Sequence, residues 1–152
     1  DFSRGLFDYA WYWNTYKRDV LAFHLSLGAV SFGNGGQTIF EQDRFSVGGA
    51  YSLRGYPDVY SGSQGGMIGN KKIVINSEYR LLLSDWFQLV LFVDAGVATD
   101  QDISPSTLKI GRGMGIRIFT PIAPLRFDLA LGDSNQFLLH FALGQVFYLM
   151  IE

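Results

Sequence analysis

The side chains best suited to chemistry lie in two segments, with about forty residues between their key positions. Residues 45–56 put Arg54 on a glycine-flanked loop, and residues 92–96 put Asp94 in the middle of an otherwise apolar strand. A guanidinium forms paired hydrogen bonds with carboxylates and keeps its charge, whereas a lysine ammonium offers only a point contact. The two segments make sense together if the arginine and the carboxylate meet inside a barrel.

Two other constellations are weaker candidates. Residues 111–115 are glycine-rich like a phosphate-binding loop, but they lie within a strand pattern, which favours a strand with close side-chain packing. His24 and His140, with Ser26 or Asp128, could be combined into a hydrolase site. Because no nucleophile-elbow motif or His-rich spacing accompanies them, we interpret them as polar residues that line a lumen.

Alternation with a period of two runs through almost every apolar segment and predicts strands. In residues 87–97 the odd positions are all apolar, while Asp94 lies among the even positions. A strand there has its apolar bulk on one face and the carboxylate on the other. Seven segments show the pattern, over residues 6–15, 20–31, 72–83, 87–97, 108–119, 124–132 and 137–148.

The apolar face of these segments carries large aromatic side chains, and the other face carries small residues and charges of both signs. This fits a soluble sandwich or lipocalin-like barrel, or a membrane barrel with lipid on the apolar face. Lysine or arginine facing lipid at mid-membrane costs roughly 2 to 4 kcal/mol, so the scarcity of charge on this face favours the membrane barrel. Arg112 is an exception and is placed near the rim. We interpret Trp11, Tyr12 and Trp13 as an interfacial girdle.

The composition also indicates a surface that faces something other than water. Of the 152 residues 17% are charged, against roughly 25% in typical domains, while 16% are aromatic and 18 are glycine. No apolar run approaches the ~18 to 20 residues of a membrane helix, so a membrane span has to be made of strands. A net charge of −2 provides no basic surface for nucleic acid. The absence of cysteine excludes a disulfide framework and a thiolate metal site.

The predicted connections alternate between short turns and longer loops, as in outer-membrane barrels. The connection over residues 32–70, rich in glycine and serine at 33–36 and 61–69, is too long for a passive link and is interpreted as functional. Seven is an awkward count, because single-chain bacterial barrels have an even number of strands. Either strands upstream of Asp1 complete the barrel, or one short strand escapes the pattern and gives a small barrel of eight. No signal peptide is visible at Asp1, which also fits a processed or excised chain.

Five motifs, in order, resemble those of the bacterial surface antigen family, which contains outer-membrane protein assembly factors and two-partner-secretion transporters with sixteen-stranded barrels. Leu53, Arg54, Gly55 and Tyr56 are similar to the family's V-R-G-F/Y loop motif. The other four are residues 76–80 (N-S-E-Y-R), 92–96 (F-V-D-A-G), 113–127 (similar to G-x-G-x-R … P-x-G-P-L-R-F) and 141–147 (similar to the terminal strand signal). Ala123 stands where glycine is common, and residues 148–152 extend past the usual terminal aromatic residue.

The resemblance implies that residues 1–152 are one all-β, antiparallel membrane barrel domain, the C-terminal portion of a larger barrel, with the long loop folded into the lumen. It implies that Arg54 pairs with Asp94 and Glu78, which would anchor the loop. The alternative interpretation, which an R-G-Y motif without the other four motifs would favour, is that Arg54 is a solvated loop residue. The corresponding alternative for Asp94 is a generic carboxylate that lines the lumen. Gly55 is expected to permit positive φ or a close backbone approach, and Tyr56 to pack against the wall. The other expected site residues are Arg80, Arg117, Arg126 and Asp128 in the lumen and Phe141, Gly144 and Phe147 in the terminal strand signal.

The function that the resemblance implies is the folding and insertion of nascent barrel proteins through a weak seam, whose exposed edge pairs with an incoming strand. Residues 137–148 would form one side of that seam. The expected partners are membrane lipid, nascent outer-membrane proteins as substrates, and periplasmic domains and accessory lipoproteins in the parent protein, without nucleic acid. We expect no enzymatic activity, no cofactor and no metal. The expected location is a bacterial-type outer membrane or that of an organelle of bacterial descent.

Three alternatives stay open. A secretion transporter of the same superfamily would pass an extended polypeptide through the lumen. A small closed barrel with a structural or adhesive role predicts eight strands and no need for Arg54 to meet Asp94. A soluble ligand-binding barrel predicts solubility without detergent.

Overall fold

A computed structural model of the chain describes residues 2–32, 43–61 and 65–144. Within these residues, seven long strands form one sheet and two short strands form a separate ladder. The strands are β1 (Phe2–Asn14), β2 (Val20–Phe32), β3 (Phe45–Val47), β4 (Met67–Gly69), β5 (Lys71–Ser84), β6 (Phe87–Thr99), β7 (Lys109–Ile118), β8 (Leu125–Leu131) and β9 (Phe137–Leu143). Residues 33–36, and Phe147 with the rest of 145–152, lie outside the described residues, so the expectations for them are not addressed.

The large sheet has the order β1-β2-β5-β6-β7-β8-β9, and every pairing in it is antiparallel. Sequential strands are therefore neighbours, as in an up-and-down barrel wall. Over the described ranges β1 and β9 are the two edges and do not pair with each other. This confirms the prediction of an antiparallel barrel portion with seven strands in the wall.

The side chains of the sheet are distributed in the reverse of a soluble protein. The face that carries Asp94, here called the lumen face, also carries Arg117, Arg126 and Asp128, and these side chains are fully buried. Large apolar side chains on the opposite, outer face are exposed: Phe7, Tyr9, Trp11, Trp13, Leu27, Leu83, Leu91, Val93, Met114, Leu129, Phe137, Leu139, Phe141 and Leu143. Soluble proteins rarely bury charges and keep apolar patches small, so this arrangement supports the membrane barrel over the soluble alternatives.

Arg112 lies on the outer face, as its position in the alternation requires, and it is exposed. It pairs with Leu131, the last residue of β8, so it is close to the end of the wall at this point. Within the described part of the chain, no helix combines the length and the hydropathy needed to span a bilayer.

The long connection contains structure that the alternation pattern does not reveal. β3 and β4 pair antiparallel, with Phe45 opposite Gly69 and Val47 opposite Met67. The short strands that escaped the sequence pattern therefore belong to the loop and do not add an eighth strand to the wall. Two strands of three residues each, in a glycine-rich segment, give too weak a periodicity to be predicted.

The loop has an apolar contact with the wall inside the lumen. Val47, Leu53 and Tyr56 from the loop are buried together with Val74 of β5 and Ala98 of β6. Burial of a side chain of this size typically contributes about 1.5–3 kcal/mol, so the cluster holds the loop against β5 and β6 independently of charge.

Phe45 brings the loop onto β2 as well. A Cβ atom at Gly28 would lie 2.7 Å from the Phe45 ring, so glycine is what leaves space for this ring on the lumen face. Arg4 and Lys72 flank the ring, with their charged groups 4.6 Å and 5.4 Å from its centroid. Both distances are within the range of cation–π attraction.

Ion pairs connect the loops at the long-loop end of the sheet. Arg44, just before β3, binds Asp100 at 2.5 Å, and this hydrogen bond holds the pKa of the Asp100 carboxyl below its usual value. Lys109 binds Asp133 at 3.1 Å and likewise lowers the pKa of Asp133. Lys109 and the two carboxylates are about half exposed, so water and salt screen the pairs.

The outer face can be tested by introducing a charge. Met114 is exposed near the middle of β7, and Met114→Arg would place a guanidinium against lipid. We expect this variant of the full-length parent protein to lose roughly 2–4 kcal/mol in its free energy of folding into liposomes. The measurement is a urea titration followed by heat-modifiable gel mobility, with Met114→Leu as the near-neutral control. Equal stability of the arginine variant would show that this face does not contact lipid.

Candidate functional site

Arg54 is the centre of a buried cluster on the lumen face. Its Nε and Nη2 each donate a hydrogen bond of 2.7 Å to the Asp94 carboxylate, one to each oxygen. Its Nη1 donates to Glu78 Oε1 at 2.6 Å, and its backbone N–H donates to Asp94 Oδ2 at 3.2 Å. Arg54 and Asp94 are 0% exposed and Glu78 is 1% exposed. The loop is thus attached to two strands through one guanidinium.

The strand register explains why the two carboxylates converge. Asn76 of β5 pairs with Asp94 of β6, and Glu78 pairs with Phe92. Alternation points all four side chains to the lumen, so the acids lie on adjacent strands two positions apart. The Phe92 ring fills the space beside Glu78, and its centroid is 3.6 Å from Arg54 Cζ. The guanidinium therefore has carboxylates around its edge and an aromatic ring against its plane.

The remaining predicted lumen residues extend this cluster into one network. Arg80 Nε binds Glu78 Oε2 at 2.7 Å. Asp128 accepts hydrogen bonds from Arg117 at 2.5 Å and from Arg126 at 2.7 Å, and lies 3.6 Å from Arg54 Nη1. The lumen network, as we use the term, consists of Arg54, Glu78, Arg80, Asp94, Arg117, Arg126 and Asp128. The sequence placed the six strand residues on one face, and the resemblance implied the pairing of Arg54 with Asp94 and Glu78. The contacts of Arg80, Arg117, Arg126 and Asp128 were not predicted.

Asn76, His24 and His140 make contacts in the site that were not predicted, although the sequence had placed the two histidines in the lumen. Asn76 Nδ2 donates to the Ser52 carbonyl oxygen at 2.7 Å, and His24 Nδ1 lies 3.0 Å from Asn76 Oδ1. The Gly55 N–H donates to His140 Nε2 at 3.1 Å, so that nitrogen carries no proton. The only available signal was that Asn76 and His140 lie at lumen-facing positions. Both side chains bind the loop backbone next to Arg54.

Two glycines in the wall leave space for the loop. Gly55 has φ of 90°, which favours glycine, and its backbone lies against the end of β8. A Cβ atom at Gly111 would overlap the Arg54 carbonyl oxygen, and one at Gly132 would overlap the Gly55 carbonyl oxygen. The glycine-rich run around residue 111 is therefore part of a strand that admits a close backbone approach.

Tyr56 packs against the wall next to these glycines. It is buried, and its ring lies where a side chain on Gly132 would be. Its hydroxyl accepts a hydrogen bond from the Asp133 N–H at 3.1 Å and lies 3.4 Å from the Ile110 carbonyl oxygen. The loop motif, residues 53–56, thus contacts five strands of the wall, β5 to β9, and the turn that follows β8.

The described part of the terminal strand signal is at the edge of the sheet. Phe141 is exposed on the outer face, with its ring centroid 5.1 Å from that of Phe127. The Gly144 N–H donates to the Pro124 carbonyl oxygen at 2.8 Å and continues the pairing with β8. Phe147 lies beyond the described residues.

The chemistry that this arrangement supports is attachment of a loop. The three carboxylates of the lumen network all accept hydrogen bonds from arginines. Over the described ranges, no group of three or more His, Cys, Asp or Glu side chains is arranged to hold a metal ion. Removing one partner from such a buried pair leaves an uncompensated charge, which is what makes the attachment specific.

Comparison with known proteins identifies the family. Residues 2–147 match the sequence profile of the Omp85 superfamily domain. The chain belongs to the Omp85 superfamily. This confirms the resemblance seen in the five motifs and the expected location of this Omp85 domain, an outer membrane of bacterial type or of an organelle of bacterial descent.

The relatives of this Omp85 domain are longer proteins. The chain is 29% identical over 112 residues to the outer envelope protein 80 of Arabidopsis thaliana chloroplasts, covering 67% of this chain and 15% of that protein. It resembles the crystal structure of BamA from Haemophilus ducreyi lacking POTRA domains 1–3, with a TM-score of 0.69, 19% identity, and 93% of this chain and 34% of that chain covered. CdiB from Acinetobacter baumannii gives a TM-score of 0.56 at 19% identity, with 85% and 24% covered. The two structures share the fold with this domain.

A double-mutant cycle tests the contact between Arg54 and Asp94. In the full-length parent protein, Arg54→Ala and Asp94→Ala should each lower the free energy of unfolding by about 3–5 kcal/mol, because each leaves a buried charge unpaired. The double variant should lose clearly less than the sum. The measurement is urea unfolding in lipid.

The matched control for this cycle is the exposed pair of Arg18 and Asp85, whose atoms are 2.7 Å apart. Its coupling should stay below about 1 kcal/mol. Additive losses at Arg54 and Asp94 would show that the two side chains do not form a pair.

Gly111→Ala tests the fit between loop and wall without changing any charge. The new Cβ would overlap the Arg54 carbonyl oxygen, so the loop has to shift and stability should fall by about 1–3 kcal/mol. Gly5→Ala is the control, since a Cβ there meets nothing within 4 Å. Equal unfolding curves for the two variants would place the loop away from β7.

Proposed function

We propose that this Omp85 domain belongs to an assembly factor that folds nascent barrel proteins and inserts them into the outer membrane. The domain is the C-terminal portion of a larger, sixteen-stranded barrel, and it is not an enzyme. Its substrates are unfolded barrel proteins, which meet it in contact with membrane lipid. Periplasmic domains and accessory lipoproteins of the parent protein deliver them.

The observation that carries the proposal is the shape of the sheet near β9. β5 and β6 have 14 and 13 residues, whereas β8 and β9 have seven each and pair over seven positions. Within the described residues, β9 is held by few hydrogen bonds to β8 and presents backbone groups on its other side. Such an edge suits the addition of a strand from another polypeptide.

The lumen network, which lies in the middle of the sheet, supports the same proposal. Its buried ion pairs connect the loop with β5, β6, β7 and β8, whereas the loop contacts β9 through hydrogen bonds such as that from the Gly55 N–H to His140. The middle of the wall is therefore held more firmly than the edge. A template requires this combination, because the strand that receives a partner has to move while its neighbours hold their register.

A secretion transporter is the second candidate, and the likeness to CdiB keeps it in view. That function requires a passage through the lumen for an extended polypeptide. In this domain residues 53–56 of the loop are buried against the wall, so a polypeptide cannot pass between the loop and these strands without release of the loop. The geometry therefore favours insertion at the edge.

Site-specific photocrosslinking tests the proposal. A photoreactive phenylalanine analogue replaces Leu139, an exposed outer-face residue of β9, in the full-length parent protein in liposomes. An unfolded outer-membrane barrel protein should crosslink there while it inserts, because its strand pairs with the β9 edge. The same analogue at Leu91, an outer-face residue of β6 with neighbours on both sides, should give little product.

A third position distinguishes the two candidates. Ala10 faces the lumen from β1. Crosslinks at Ala10 without crosslinks at Leu139, and substrate released across the membrane rather than embedded in it, would establish transport and overturn the proposal.

A further inference from the structure

One loop side chain reaches the edge of the sheet. Tyr51 lies between β3 and Arg54, and its hydroxyl donates a hydrogen bond of 2.8 Å to the carbonyl oxygen of Leu143 in β9. The two residues are 92 positions apart in sequence. This contact is separate from the ion pairs of Arg54.

The register shows which way the Leu143 carbonyl points. In antiparallel pairs, residues whose backbone groups bond to each other alternate with residues whose groups point away. Gly144 bonds to Pro124 through its N–H, and Leu143 pairs with Leu125 at the next position. The N–H and C=O of Leu143 therefore point away from β8, toward the open side of β9. Tyr51 occupies an acceptor that an added strand would use.

Tyr51 is held in this position from three directions. The Ala50 carbonyl oxygen accepts a hydrogen bond of 3.0 Å from Arg126 Nη2, and the Arg126 guanidinium lies 5.6 Å from the Tyr51 ring centroid. On the other side of Tyr51, the Ser52 carbonyl oxygen is bound by Asn76. The Ser52 hydroxyl also bonds the backbone of Gly48 at both its N–H and its C=O, which closes a tight turn around Tyr51.

Arg126 and Asn76 connect this contact to the wall. Arg126 binds Asp128 in the lumen network, and Asn76 is the register partner of Asp94. The position of Tyr51 at the edge thus depends on the same strands that hold Arg54. A loop that leaves the lumen takes the hydroxyl away from Leu143.

We propose that Tyr51 is a positioning residue that covers the β9 edge at Leu143 and has to withdraw before an extended strand of a substrate polypeptide can pair there. The inference rests on the proposed function, because it concerns the same edge. Leu139 and Phe141 have the same parity as Leu143, so their backbone groups face the open side as well. A substrate strand would therefore form its hydrogen bond to the Leu143 carbonyl oxygen after it has paired with Leu139 and Phe141, or at the same time.

The test uses the photoreactive analogue at Leu139 in the full-length parent protein in liposomes, with an unfolded barrel protein as substrate. Tyr51→Phe removes only the hydroxyl, and Tyr60→Phe makes the same change at an exposed tyrosine of the same loop. Tyr51→Phe should raise the initial crosslinking yield roughly two- to tenfold, the range that one lost hydrogen bond produces. Tyr60→Phe should match the wild type. Heat-modifiable gel mobility confirms that each variant is folded.

The outcomes separate this inference from the proposed function. Equal crosslinking in the wild type and Tyr51→Phe would overturn the role of Tyr51 and leave insertion at the edge intact. A lower yield in Tyr51→Phe would also overturn it, since a purely structural contact predicts that loss. The absence of crosslinks at Leu139 in all three proteins would contradict the proposed function and this inference together.

Discussion

The burial of one guanidinium determines much of this structure. An arginine taken out of water without partners is far too unfavourable to persist, so Arg54 can lie in the lumen only where carboxylates already converge. Asp94 and Glu78 provide that place because β5 and β6 pair in one particular register. A slip of β5 or β6 by one residue would turn the acid of that strand to the outer face and separate the two carboxylates that hold Arg54. The ion pair and the strand register therefore specify each other.

In this domain the side chains of the lumen form the buried core, as apolar side chains do in a soluble protein. Four arginines and three carboxylates are packed there with Phe92 and the loop, and the apolar side chains are turned outward. Charged groups in a region of low dielectric interact strongly, and they also demand that every partner stay in place. Such a core is specific but responds sharply to the loss of any member. The apolar contact of Val47, Leu53 and Tyr56 with the wall provides attachment that does not depend on charge.

The sequence predicted the wall of the barrel well and the contacts across it only in part. Alternation identifies the face of Asp94, Glu78 and Arg117, because the period of two needs only local information. Alternation does not indicate how far along the barrel axis each side chain lies, because that depends on the register between paired strands. For this reason alternation could not predict that seven charged residues form one network. The contact of Tyr51 with Leu143 joins residues 92 positions apart and uses a backbone acceptor, which leaves no mark in the sequence.

The glycines at positions 111 and 132 have a consequence for inheritance and for engineering. At each position a backbone carbonyl of the loop, from Arg54 or Gly55, lies close against the glycine. The shape of the wall is therefore complementary to the loop backbone. A loop of another shape would meet gaps or collisions there even if it kept the arginine. Chimeras between homologues should therefore exchange the loop together with β7 and the turn after β8 as a single cassette, and natural recombination is subject to the same constraint.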